Sequence, residues 1–165
     1  MEAADRPRIL IADDDHVFCD VVSAALSMQG YMTRQATTTD EVLAELAAAP
    51  CDLLLLDTLG VPLAAAAKAA ISDICRRAGA TPVMLMTGWW EVAEWAEAEL
   101  GIAGVLRKPF DLEPFLACVA DLLSSAPRTE SVRLYGSGLA RRPVGRTVVP
   151  GAHDSKIVVR PGSSR

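Results

Sequence analysis

Residues 8–12 (RILIA) form a short apolar run of the kind that becomes a strand, and Val17, Val21, Ala25 and Met28 then recur at helical spacing until Gly30 stops the element. The alternation repeats along the chain. Residues 31–36 read as a second strand. Thr38 with Glu41 three positions later fits a capping box, and Val42, Leu43 and Leu46 give the following helix an apolar face before Pro50. The segment 52–57 is leucine throughout its interior, which suits a central strand covered on both faces. The alanine-rich stretch 64–78 favours a helix with Ile71, Ile74 and Cys75 turned inward. Residues 82–86 predict a fourth strand, 89–100 a fourth helix and 103–107 a fifth strand. A fifth helix starts after Pro109, where Leu112, Phe115, Leu116, Val119 and Leu123 repeat at three and four residues.

Short strands alternating with helices of 10–15 residues call for a parallel sheet with right-handed crossovers. The expected fold is an α/β domain of three layers, α/β/α, over residues 1–125. Residues 126–165 are rich in Ser, Pro, Gly and Arg and are expected to form a basic, mostly flexible tail, with short β-prone pieces at 132–135, 147–149 and 157–159.

Charge sharpens this division. Residues 1–126 hold 8 Lys/Arg against 19 Asp/Glu, a net charge of -11, whereas residues 127–165 hold 8 against 2, a net charge of +6. An acidic body thus precedes a basic segment. The start of the chain has no basic region ahead of an apolar stretch, and no apolar run is long enough to cross a bilayer. The expected location is therefore cytoplasmic, with no membrane partner. Cys19, Cys51, Cys75 and Cys118 are widely spaced among apolar or helical neighbours and read as small buried hydrophobes.

The candidate chemistry lies at the strand ends. Asp13 and Asp14 follow the first strand, Asp57 closes the leucine run, Thr87 follows the fourth strand, and Lys108 sits just past Val105-Leu106. Parallel strands of one sheet gather their carboxyl ends at one edge, where open α/β sheets bind ligands. A lone aspartate at a strand end is usually a helix cap or a solvated loop residue, and Asp15 is itself a candidate cap for the first helix. The joint occurrence at the ends of several strands is what points to chemistry. Three carboxylates within ~4 Å would repel by roughly 4 kcal/mol per pair at an effective dielectric near 20, so the set makes sense with a cation or a lysine nearby. Mg²⁺ fits, since it takes hard oxygens from one or two carboxylates, waters and phosphate groups. The metal, Lys108 and the Thr87 hydroxyl would then surround a transferring phosphoryl group.

The segments ILIADDD (9–15), DLLLLD (52–57), PVMLMTG (82–88) and RKPF (107–110) together resemble the receiver domain of bacterial two-component response regulators, over about residues 7–124. The resemblance implies a flavodoxin-like, five-stranded parallel sheet of order 2-1-3-4-5. It also implies phosphoryl transfer from a phosphohistidine to Asp57, Mg²⁺ held by Asp13, Asp14 and Asp57, and contacts of Thr87 and Lys108 with the phosphoryl oxygens. Partners implied are a sensor histidine kinase or a histidine phosphotransfer protein, with a downstream protein met on the face of helix 4, strand 5 and helix 5. A second copy of the chain is a further candidate partner. The activity expected is Mg²⁺-dependent self-phosphorylation and self-dephosphorylation rather than metabolic catalysis.

Several positions depart from the family pattern, among them Gly88, which replaces the more common alanine. The acceptor loop, Asp57-Thr58-Leu59-Gly60-Val61-Pro62, is one residue longer than usual, so the backbone carbonyl that relatives give to the metal is carried to Leu59 only by analogy. The usual switch aromatic is Val105 here, and Trp89, Trp90 and Trp95 supply the aromatic rings nearby. The 39 residues after the domain carry no long helix-period pattern, so sequence-specific DNA binding through a winged helix is not expected. The leading expectation is a stand-alone phosphoacceptor that signals by altered protein binding. The alternative is a phosphorylation-independent docking module with a degenerate pocket.

Overall fold

A computed structural model describes residues 6–61, 64–89, 101–124 and 133–135. The elements follow one another as β1 (Arg8–Ala12), α1 (His16–Met28), β2 (Met32–Ala36), α2 (Thr39–Ala48), β3 (Leu53–Leu56), α3 (Ala64–Ala78), β4 (Val83–Thr87), β5 (Gly104–Arg107), α4 (Leu112–Ser124) and β6 (Arg133–Tyr135). The strands run in the order β2-β1-β3-β4-β5-β6. The expected parallel order 2-1-3-4-5 flanked by helices is therefore present. A sixth strand adds to the expected five. β6 falls on one of the β-prone pieces after residue 126 and pairs in parallel with β5, Val105 standing opposite Leu134. Most of the expected fourth helix (residues 90–100), Trp90, Trp95 and the β-prone pieces 147–149 and 157–159 lie outside the described residues.

Two compact units divide the chain, Met1–Met84 and Leu85–Arg165. In the first, β1 is flanked on both sides by parallel partners, Leu10 opposite Arg34 of β2 and Leu54 of β3. All four residues of β3 are buried, as are Ile9, Leu10 and Ile11. That continuous burial explains the leucine run, because a strand covered on both faces gains from apolar side chains at every position rather than at every second one. By contrast β2, at the sheet edge, has the mixed sequence MTRQA and only Ala36 fully buried.

α1 corrects the expected stripe. Val17 and Val21 are exposed, and Met28 is 86% exposed, while Cys19, Val22, Ala25 and Leu26 are buried. The helix carries two apolar stripes, and the one that includes Leu26 and Val22 faces the core. α3 buries Ala67, Ile71 and Ile74 and leaves Cys75 half-buried, close to expectation. In the second unit, α4 buries Phe115, Cys118, Val119 and Leu122, and Phe110 stacks on Phe115 with ring centroids 5.2 Å apart. Leu112, expected on the apolar face, is exposed at the first turn of α4. Burial raises the Cys75 thiol to about 11 and the Cys118 thiol to about 12, and raises Cys51 as well, consistent with packing residues rather than reactive ones.

Candidate functional site

The three consecutive aspartates after β1 do three different things. Asp13 continues the sheet: its backbone N–H donates to the Ala36 carbonyl (3.1 Å), and its side chain is 1% exposed. The Asp13 carboxylate accepts the N–H of Asp15 at 3.0 Å, which folds the loop back on itself. Asp15 is the N-cap of α1, its carboxylate accepting from the Phe18 N–H at 3.1 Å. The Cys19 thiol donates to the Asp13 carbonyl at 3.4 Å, tying the first turn of α1 to the strand end. Between these two anchored residues Asp14 is left exposed.

Asp57 is fixed from below by its N–H, which donates to the Ala12 carbonyl at 2.8 Å, and its side chain is 9% exposed. The Thr58 hydroxyl lies 3.4 Å from Asp57 Oδ2, a long donor contact beside the acceptor oxygen. The loop then reverses sharply. Leu59 has φ 54° and Gly60 φ 66°, and the Val61 N–H donates to the Thr58 carbonyl at 3.2 Å. Two successive positive φ values closed by that bond are the signature of a type I′ turn, which leucine enters only with strain. Gly60 and Thr58 are the residues that sequence reasoning did not single out. The signal was the glycine two positions before Pro62, in a loop already seen to be one residue too long.

Asp13, Asp14 and Asp57 each offer a carboxylate oxygen within 4.8 Å of the others. At that spacing two unit charges repel by about 3 kcal/mol at an effective dielectric near 20, less where exposed Asp14 is screened by solvent. Three hard oxygen donors this close suit a small divalent cation. Mg²⁺ in particular completes its octahedron with water and phosphate oxygens, so the donor set fits the metal expected from sequence.

In the second unit, Thr87 ends β4 as a buried residue, and the Lys108 N–H donates to its carbonyl at 2.8 Å. The Thr87 hydroxyl accepts the Trp89 backbone N–H at 3.0 Å, and Trp89 is exposed. Val105 is buried in β5. The peptide between Lys108 and Pro109 is cis.

The family model of the response regulator receiver domain matches residues 9–120. The chain belongs to this family. The match takes in the ends of β1, β3, β4 and β5 together. Over 151 residues this receiver is 32% identical to the DNA-binding dual master transcriptional regulator RpaA of Synechocystis sp., covering 87% of the chain and 59% of that protein. The receiver thus spans about three fifths of that relative's length. Among solved structures it is similar to a CheY-like receiver domain protein from Methanospirillum hungatei, with a TM-score of 0.65, 22% identity and coverage of 72% of this chain and 94% of that one. A response regulator from Burkholderia pseudomallei, with a phosphorylated aspartic acid, calcium ion and citrate, matches with a TM-score of 0.59 and 27% identity. That match covers 67% of this chain and 65% of the other. Among the described residues of this receiver, no helix is long and apolar enough to cross a membrane.

Proposed function

We propose that this receiver accepts a phosphoryl group on Asp57 from the phosphohistidine of a sensor kinase or phosphotransfer protein and signals by altered protein binding. The clustering of Asp13, Asp14 and Asp57 within 4.8 Å carries the reading. The Burkholderia relative, with its phosphorylated aspartic acid and calcium ion, supports it.

In this reading an Asp57 oxygen attacks phosphorus, forming a P–O bond. The P–N bond of the phosphoimidazole breaks with its electron pair going to the ring nitrogen, which takes up a proton. Attack by a carboxylate oxygen has no proton to remove and so needs no general base. Asp13, Asp14 and Asp57 would hold Mg²⁺, with the Leu59 carbonyl as a further candidate ligand by family analogy. The metal supplies charge neutralisation at the transferring group. By the same analogy Lys108 and the Thr87 hydroxyl meet the phosphoryl oxygens. Reversal to the resting state is hydrolysis, in which water attacks phosphorus and releases inorganic phosphate from Asp57.

The test is intact-mass spectrometry and Phos-tag electrophoresis after a small-molecule phosphodonor and Mg²⁺. The wild type is expected to gain one phosphoryl group and Asp57→Asn none. Equal modification of both sinks the assignment, and none in either, with a competent donor, favours the phosphorylation-independent docking module.

A second output reading rests on two observations. RpaA binds DNA, and the segment 127–165 carries a net charge of +6. Output through nucleic acid would give binding to duplex DNA that weakens steeply with salt and differs between cognate and random sequence. Gel-shift titration at two salt concentrations, with and without phosphorylation, separates it from output by protein contact.

A further inference from the structure

Gly60 and Asp14 belong to different loops and meet at the site. A Cβ built on Gly60 would stand 2.9 Å from Asp14 Oδ2 and 3.5 Å from Asp14 Cγ. The first distance is shorter than side-chain carbons adopt, so any residue but glycine at position 60 must displace that carboxylate. Asp14 is exposed, and among the described residues no bond of the kind that holds Asp13 and Asp15 is formed at its carboxylate, so it can swing away at little cost to the fold. Its orientation toward Asp13 and Asp57 is the quantity at risk. The turn that delivers Gly60 is itself costly, since Leu59 occupies the left-handed region beside it. Strain kept next to reacting groups is a pointer to function, and here it brings backbone against one of the carboxylates that would hold the metal.

We infer that Gly60 is a positioning residue for the metal site: the Thr58–Val61 turn sets a bare α-carbon against Asp14 and leaves its carboxylate free to face the cation beside Asp13 and Asp57. The inference rests on the phosphoacceptor reading of the site. Gly60 has no side chain to offer a cation or a phosphoryl group and acts through Asp14. Its smallness, rather than its backbone freedom alone, is what the site requires.

Gly79 separates these two properties. It has φ +61°, close to the +66° of Gly60, but a Cβ there meets nothing within 4 Å. Gly60→Ala and Gly79→Ala should therefore lower the unfolding midpoint in chelator by similar amounts, while their effects on the cation differ. Mg²⁺ titration of the full chain, followed by amide chemical shifts, gives the affinities. Gly60→Ala is expected to weaken Mg²⁺ binding tenfold or more, and Gly79→Ala to change it less than twofold. In an Asp14→Ala background, adding Gly60→Ala should cost less than a further twofold, because the group it displaces is gone. Mg²⁺ affinity in Gly60→Ala within twofold of wild type, or a full additional loss in the Asp14→Ala background, would overturn the role of Gly60 while leaving the phosphoacceptor site standing. Absence of Mg²⁺ binding in the wild type would sink the reading of the site itself, and this inference with it.

Discussion

Beyond the sheet bond of Asp13 to Ala36, the loop after β1 folds on its own side chains: Asp13 accepts the Asp15 N–H, and Asp15 caps α1. The loop after β3, on the neighbouring strand, contributes Asp57 and then turns through two left-handed residues, one of them leucine, to press Gly60 toward Asp14. The first loop is stable by local rules, and its cost is electrostatic, since it brings two carboxylates beside a third. The second places one carboxylate by a sheet bond to Ala12, and its cost is conformational. Comparing them shows two ways in which one site holds groups that the fold alone would disfavour.

The largest expected effect tests the electrostatic half. Asp13→Asn keeps an oxygen to accept the Asp15 N–H but removes a buried charge from the cluster. In chelator it should raise stability by about 2 kcal/mol, somewhat below the pairwise repulsion computed at a dielectric near 20. Urea unfolding with and without Mg²⁺ measures this, and the variant should lose the stabilisation that Mg²⁺ gives the wild type. A variant less stable than wild type in chelator would mean that hydrogen bonding, not charge, dominates at Asp13.

Asp15→Ala removes the cap alone. It should cost about 1 kcal/mol in the same unfolding experiment and leave phosphorylation of Asp57 intact. Loss of phosphorylation would show that the first loop is less self-contained than its hydrogen bonds indicate.

Leu59→Gly tests the conformational half and has the opposite sign. Relief of the left-handed leucine gains about 1–2 kcal/mol, offset by roughly 0.5–1 kcal/mol of added freedom in the unfolded chain. A net gain of about 0.5 kcal/mol is expected, and a clear loss would mean that packing of the leucine side chain outweighs the strain.

The loop after β2 supplies the smallest effect and a control outside the site. The Thr38 hydroxyl accepts the Glu41 N–H at 3.2 Å, as the capping box predicts, and the Glu41 carboxylate takes the Thr37 N–H (2.7 Å) and hydroxyl (2.9 Å), with a smaller contribution from the Thr38 backbone. The backbone bond from Thr37 is the main cause that holds the Glu41 carboxyl below its ordinary value of 4.5, followed by the Thr37 side chain. A depressed carboxyl stabilises the fold above the unfolded value, and that contribution disappears as pH falls through the folded value. The small stability gap between wild type and Glu41→Gln at pH 6 should therefore narrow as pH is lowered below 4.5, measured by urea unfolding across that range.

Periodicity and strand-end chemistry make the fold and most of the candidate site legible in the sequence. Buried β3 is all leucine, and Asp13, Asp14 and Asp57 stand at the ends of their apolar runs, because a parallel sheet ties position along the strand to position in space. Spacing could not tell which of two apolar stripes on α1 turns inward. Val17, Val21 and Met28 obey the helical repeat as well as Cys19, Val22 and Leu26 do, and only packing against the sheet chose between them. Nor could it tell that Glu41 also takes the N–H and hydroxyl of Thr37, or that residues 133–135 pair with β5, since both depend on where a partner stands in space. Gly60 is the plainest case. In sequence it is one more loop glycine; what forbids a side chain there is a carboxylate 46 positions earlier, brought alongside by the pairing of β1 with β3. Residue types and their periods are local properties that the chain carries with it, whereas the space left beside an atom is set by every element folded around it.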